Sequence, residues 1–387
     1  MTPDSLFDLA SNPNTPPEQL RELATCEDVA IRQLVTANPN TPTEVLWKLG
    51  KEFPAQLLEN PLLPLLFLEN PSLFIPSNTL VSLFQLERVP CYLKQAFLRK
   101  NVEFQQTIAQ NPNMPVSFFE WLAQSSELLV RWAIAQNPYI PLSTIEQLAK
   151  DSDSRIRRAI GLHSKTPVSL LERLAQDSNP EVRGAIAGKP STPVRWLERF
   201  AQDPDAGVRR ALAGNRNTPV HILEQLVQDS DVKVRGAIAL NRNLPVHWLE
   251  RLAQDADATV RRAIAYQPNT TTHCLERLAQ DADATVRVAI ARNLNSPKPL
   301  LEKLAQDSDP GVRVAIARNP NTPTDWLKQL AQDSDSGVRV TIVSNPNTPV
   351  DILQRLAGNW EHSVSRCAQA KLEKLFPNSY RRKDWDF

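Results

Sequence analysis

Three side-chain patterns in this chain have the types and spacing that could do chemistry. His221, His247 and His273 fall in one slot, 26 residues apart. Three imidazoles in register invite a zinc site, but a zinc ligand stands about 2 Å from its metal. Equivalent positions on stacked helices are about 8–10 Å apart, so the rings do not converge on one ion and no bound metal is expected. Asp229-Ser230-Asp231 and its equivalents offer paired carboxylates for Ca²⁺. They lack a bidentate Glu downstream and a glycine in the loop, and so fall short of the roughly six to eight oxygens that ion takes. Helix capping accounts for them. The third pattern is a column of arginines at 131, 157, 183, 209, 235, 261, 287, 313 and 339, which could track the phosphates of a polyanion.

A structural role explains the arginines more simply. Asp153/Arg157, Asp205/Arg209, Asp231/Arg235, Asp257/Arg261, Asp283/Arg287, Asp309/Arg313 and Asp335/Arg339 are i, i+4 pairs, each worth about 0.3–0.5 kcal/mol on an exposed helix. A second carboxylate column, Asp177, Asp203 and onward, can pair with an adjacent unit's Arg. Arg157, Arg183, Arg209, Arg235, Arg261, Arg287, Arg313 and Arg339 are therefore assigned to a structural ladder. Lys+Arg 44 against Asp+Glu 43 leaves a net charge of +1, which argues against a generally basic nucleic-acid binder. Any charge-driven function must be local.

Catalytic signatures are missing. No G-x-S-x-G, P-loop, H-E-x-x-H or G-x-G-x-x-G occurs, and no Ser, Cys or His has a fixed partner. Cys26, Cys91, Cys274 and Cys367 are scattered, with no C-x-x-C pair, which fits a reducing, cytoplasmic setting. The greasiest stretch, Leu62 to Ile75, is broken by Pro64, Glu69, Asn70 and Pro71, so neither a membrane span nor a signal peptide is expected. The reading is of a protein that is not an enzyme and carries no cofactor.

A repeating frame must hold these columns. Pro recurs at 115, 141, 167, 193, 219 and 245, Thr271 keeps the register, and Pro returns at 297, 323 and 349. Every step is 26 residues, without insertion or deletion, which implies one unit stacked on itself. Two short helices fit each unit. The first is expected with Thr218 at the N-cap and Pro219 at N1, and with Leu223, Leu226 and Val227 as its apolar stripe. The second starts at the N-cap Asp231 and buries Val234, Ala237 and Ile238. Thr15-Pro16 and Thr41-Pro42 open two earlier units, where Glu18 and Glu44 would complete a capping box.

Between Pro42 and Pro115 lie 73 residues where three units need 78, so the register fails there. The expected organisation is amino-terminal repeats over 1–50, degenerate or irregular repeats over 51–100 with a kink near 60–90, the regular array over 101–357, and a C-terminal capping helix and tail over 358–387. The helix is expected over Ser363 to Phe376 and the tail from Tyr380-Arg381-Arg382-Lys383.

The unit N-P-N-T-P-x-x-x-L-x-x-L-A-x-D-x-D-x-x-V-R-x-x-I-A, shown by Asn319 to Arg339, resembles the leucine-rich repeat variant family, over 111 to 357 continuously and 12 to 49 more loosely. The resemblance implies an all-α fold, a right-handed α-α superhelix (solenoid) of two-helix repeats in which one helix is partly 3₁₀. Its broader relatives, the HEAT repeats, are adaptor and binding scaffolds. An iron–sulfur module carried by some members is not implied, because only Cys26 lies near the amino terminus. A HEAT-type lyase-like enzyme is the third-ranked alternative, behind nucleic-acid binding.

Positions that vary within a fixed frame are free to carry specificity. The residue after each ladder Arg and the one four further on form an i, i+4 strip, which includes Arg158, Arg210, Gly214, Gly236, Arg262, Tyr266, Val288 and Arg292. Glycine inside a helix costs up to about 1 kcal/mol relative to Ala, so Gly184, Gly214 and Gly236 should mark close backbone approach, either between units or by a ligand. The mixture of basic and apolar positions points to another protein or peptide, acidic and partly apolar, rather than to a nucleic-acid backbone.

Overall fold

The structure is a computed structural model that describes residues 3–70, 73–98, 100 and 102–377; the tail from Tyr380 lies outside the described residues. Among these are 29 α-helices and no strand. Contacts divide the chain into Met1–Ile186 and Ala187–Phe387.

In the second of these parts a short helix alternates with a longer one. Val220–Leu226 has seven residues and Val232–Ala239 eight, below the roughly 12 an isolated helix needs. Stacking supplies what length does not. Leu223, Leu226 and Val227 of the short helix and Val234, Ile238 and Ala239 of the long one are buried, while Ala237 is half-buried. Each fully buried branched side chain contributes about 1.5–3 kcal/mol. The long helices Ala206–Gly214, Val232–Ala239, Ala258–Tyr266, Ala284–Arg292, Pro310–Arg318, Ser336–Ser344 and His362–Leu375 each pack on the next, whereas the short helices pack against the long helices that flank them in sequence. Successive units therefore approach most closely on the long-helix side. His362–Leu375, at 14 residues, packs against both Ser336–Ser344 and Val350–Ala357.

The start of the short helix differs from expectation. Its N-cap is Pro219, without a side-chain cap. Thr218 turns the other way: its hydroxyl donates to the Leu212 carbonyl, 2.6 Å away, on the last turn of the preceding long helix. Thr15 and Thr41 do the same to Leu9 and Val35, at 2.6 Å each, so no capping box forms with Glu18 or Glu44. Among the described residues, a threonine caps the short helix only where proline is replaced, Thr271 accepting from the Cys274 N–H. Both ends of the short helix are tightened by 3₁₀-type bonds, from the Ile222 N–H to the Pro219 carbonyl and from the Asp229 N–H to the Leu226 carbonyl.

Met1–Ile186 follows the same rule on either side of an interruption. Ser77–Phe84 and Cys91–Leu98 both open as short helices do, with backbone bonds back to Pro76 and Pro90. No long helix stands between them; residues 85–90 join them directly. The core there becomes aromatic, with Phe84, Phe97 and Phe118 at ring-centroid distances of 4.7 to 5.7 Å. The adjoining Leu62–Glu69 buries Leu63 and Phe67 and exposes Leu65 and Leu68.

Candidate functional site

Each ladder arginine is spent on the fold, but on a different partner from the aspartate four residues before it. Arg235 donates from Nε and Nη2 to both oxygens of Asp255, 2.7 and 3.0 Å away in the next unit. Its Nη1 reaches back to the carbonyls of Asp229 and Ser230, at 2.8 and 3.2 Å. One guanidinium therefore ties its own D-x-D loop to the following one, in the fork geometry that suits arginine rather than lysine. Arg131, Arg157, Arg209, Arg261, Arg287 and Arg313 make the same bidentate contact with Asp151, Asp177, Asp229, Asp281, Asp307 and Asp333. Arg183 donates to the Asp177 carbonyl in the same manner. At the end of the array Asn359 replaces the aspartate; Arg339 pairs with Glu361, and its buried Nε has no acceptor.

The second aspartate of each loop caps a helix. Asp231 accepts from the backbone N–H groups of Lys233 and Val234, so the expected Asp231/Arg235 pair within one helix gives way to capping plus an inter-unit bridge. Burial pushes the pKa of Asp255 up, but hydrogen bonds from Arg235 and from the Asp257 N–H outweigh it and hold the carboxyl below its ordinary range. Asp229, Asp281, Asp307 and Asp333 are lowered for the same reasons.

A second ladder was not expected from the sequence. The Asn241 side-chain amide donates to the carbonyls of Ala213 and Asn215, one unit earlier, at 2.7 and 3.2 Å. Asn38, Asn60, Asn137, Asn215, Asn293, Asn319 and Asn345 donate in the same way. Gln267 and Lys371 take the role in their units. This buried column satisfies carbonyls that helix ends otherwise leave open. Its signal was present as the first Asn of each N-x-N-T, which reads locally as a turn.

The strip positions lie on the solvent side of the long helices. Arg210, Gly214, Arg262, Tyr266 and Arg292 are exposed, and Gly236 and Val288 are half-buried. Val314 and Val340 repeat the Val288 position, and Arg318 repeats Arg292. An added Cβ at Gly214 or Gly236 would meet nothing within 4 Å. Close packing between units is therefore not the reason for these glycines; it occurs instead at Gly161, where a Cβ would stand 2.9 Å from Ile186 Cδ1. In the first part of the chain Arg158 is also exposed. Trp132, one unit earlier in the same register, is 40% exposed beside Leu129 at 52%, an apolar strip position that sequence reasoning passed over although the 26-residue period places it there.

Acidic side chains, though not basic ones, divide by helix type, since the short helices also carry Arg195, Arg199, Arg251, Arg277, Lys298, Lys303, Lys328 and Arg355. The six long helices between Ala206 and Ser344 contain no Asp or Glu. Outside the ladder they carry Arg210, Lys233, Arg262, Arg292 and Arg318, none of which makes an ion pair among the described residues. The short helices hold the acids Glu198, Glu224, Glu250, Glu276, Glu302, Asp325 and Asp351. A net charge of +1 conceals this division.

The remaining candidates belong to the short-helix side. His221 and His247 are exposed, 3.7 and 3.9 Å from Glu198 and Glu224. Among the described residues no group of three or more His, Cys, Asp or Glu could hold a metal ion. Cys274 is buried in the hydrophobic core. Trp196 is buried and Trp248 half-buried, with the Arg199 and Arg251 guanidinium groups 5.3 and 5.5 Å from their ring centroids. No described helix is long and apolar enough to cross a membrane.

The leucine rich repeat variant family matches residues 206–231 and 310–335. No curated protein matches the chain. Among solved structures, a leucine-rich repeat variant protein is 26% identical over 58% of this chain and 88% of its own, with a TM-score of 0.46. Kap95p, solved with RanGDP, is 12% identical over 98% of this chain and 68% of its own, with a TM-score of 0.39. Importin beta is 14% identical over 95% and 50%, with a TM-score of 0.27. The matched segments are two turns of the 26-residue period that runs from Pro115 to Pro349, and the chain is an α-solenoid, two of whose repeats match the leucine-rich repeat variant family.

Proposed function

We propose that this protein is a non-catalytic scaffold in the cytoplasm that binds another protein through the solvent face of its long helices, taking a segment that is acidic and partly apolar. The observation that carries this reading is the distribution of acids: long helices that hold unpaired cations and no Asp or Glu between their caps favour an anionic partner and disfavour a basic one. Arg210, Arg262 and Arg292 supply the charge, while Tyr266, Val288, Val314 and Val340 supply apolar contact. Gly214 and Gly236 leave room between the arginines. Arg158 and Trp132 give Met1–Ile186 the same mixture. A nucleic acid would need cations without the apolar row, and its binding would weaken steeply with salt.

The test is a photo-crosslinking amino acid placed at Gly214 or Tyr266 on the long-helix face, and at Gln225 or Arg251 on the short-helix face. Protein adducts from the first pair and none from the second are expected. Adducts only from the second pair, or adducts to nucleic acid, would overturn the reading.

A further inference from the structure

The interruption in Met1–Ile186 does more than shift the register. Where a regular unit places a long helix, residues 85–90 run directly from Ser77–Phe84 to Cys91–Leu98. That shortcut leaves a cleft of about 430 Å³ lined by Leu86, Glu87, Arg88, Val89, Pro90, Lys94, Ser117 and Phe118. The volume falls in the range of small-molecule sites, about 300–1,000 Å³. Leu86, Val89, Pro90 and Phe118 give it an apolar lining. Phe118 is buried and set by its contacts with Phe84 and Phe97, so that part of the wall is rigid. The loop is pinned where the Ser117 hydroxyl donates to the Glu87 carbonyl, 3.1 Å away.

Two cations meet this lining against one carboxylate. Arg88 is exposed and makes no ion pair among the described residues. Lys94 is half-buried, its Nζ 5.5 Å from the Trp121 ring centroid, a contact that holds the ammonium group without neutralising it. Glu87 opposes them from the exposed side of the loop. The balance is an apolar pocket with a net positive rim.

We infer that this cleft binds a small apolar carboxylate, with the hydrocarbon body against Val89, Pro90 and Phe118 and the carboxylate between Arg88 and Lys94. The site is separate from the long-helix face and stands or falls without it.

Titration of the full chain with phenylacetate, followed by calorimetry and by ligand-observed NMR, tests the assignment. Phenylacetamide removes the charge and acetate removes the apolar body. Phenylacetate should bind at least about tenfold more tightly than either, since a charge-assisted contact is lost in one and the buried area in the other. Arg88→Gln and Lys94→Gln should each weaken phenylacetate while leaving phenylacetamide unchanged. Val89→Phe, which fills the cleft from a half-buried position, should abolish binding with the helical circular dichroism signal retained. Equal binding of acid and amide, binding unaffected by Val89→Phe, or no saturable phenylacetate binding at millimolar concentration would each overturn the assignment.

Discussion

Replacing Arg261 by alanine should damage the fold, and replacing its neighbour Arg262 should not. Arg261 donates four hydrogen bonds: to Asp281 Oδ2 and Oδ1 at 2.6 and 2.8 Å, and to the carbonyls of Asp255 and Ala256 at 2.8 and 2.9 Å. The pair is largely shielded, with 18% of the Arg261 side chain and 8% of the Asp281 side chain exposed. Its removal leaves the Asp281 carboxylate without its guanidinium and two loop carbonyls without their donor. Breaking a buried pair costs about 3–5 kcal/mol; because Asp281 keeps the Asp283 N–H and water can reach the loop edge, the lower end, about 3 kcal/mol, is expected. Arg262 is exposed and outside the ladder, so its loss should fall within about 0.5 kcal/mol. In a solenoid a broken inter-unit contact uncouples neighbours, so the urea transition of Arg261→Ala should broaden as well as shift. Hydrogen exchange should rise first in Ala258–Tyr266 and Ala284–Arg292. Asp281→Ala in the Arg261→Ala background should cost far less than it does alone. Equal or greater destabilisation by Arg262→Ala, or additive losses in the double variant, would refute the ladder.

Further outcomes follow from the same contacts. Asn241→Ala removes a buried amide that satisfies two carbonyls and should cost about 1–3 kcal/mol by urea denaturation, with Asn241→Asp worse because a carboxylate would face acceptors. Asp229, Asp255, Asp281, Asp307 and Asp333 have folded pKa values below their unfolded ones, so their stabilisation is complete above the ordinary Asp range, near pH 4. It is lost as pH falls through the depressed folded values; Asp255→Asn should therefore flatten the acid side of the stability profile. Gly236→Ala should raise stability by up to about 1 kcal/mol, since its Cβ meets nothing; a lower melting temperature would mean that the face is packed.

The unit and its two helices were legible because Pro, Leu and Arg each recur at one period, and because Asp231 and Val234 sit where a cap and a buried apolar residue are needed. The partner of each arginine was ambiguous for a geometric reason. The Asp column lies six residues before one Arg and twenty after another, and only the distance between stacked units decides that Arg235 reaches forward to Asp255. Thr218 looked like a cap because threonine before proline satisfies that rule locally; its hydroxyl instead meets a carbonyl that the preceding helix end brings close. The buried asparagine column is tertiary in origin, as Asn241 bonds to residues 26 and 28 positions earlier. For the face itself, the sequence set Arg210 and Arg262 apart from the ladder and left two reasons open for Gly236, of which packing between units is ruled out because an added Cβ there meets nothing.

The central claim is that the acid-free face of the long helices is the recognition surface. Its most direct test is the affinity of a crosslinked partner segment for the intact chain and for Arg210→Ala/Arg262→Ala, measured by fluorescence anisotropy across a salt series. A loss of about tenfold or more in the double variant, at unchanged melting temperature and with a shallow salt slope, is the expected result. Unchanged affinity in the folded double variant, or a steep log-linear salt slope of the kind that counterion release from a polyanion produces, would contradict it.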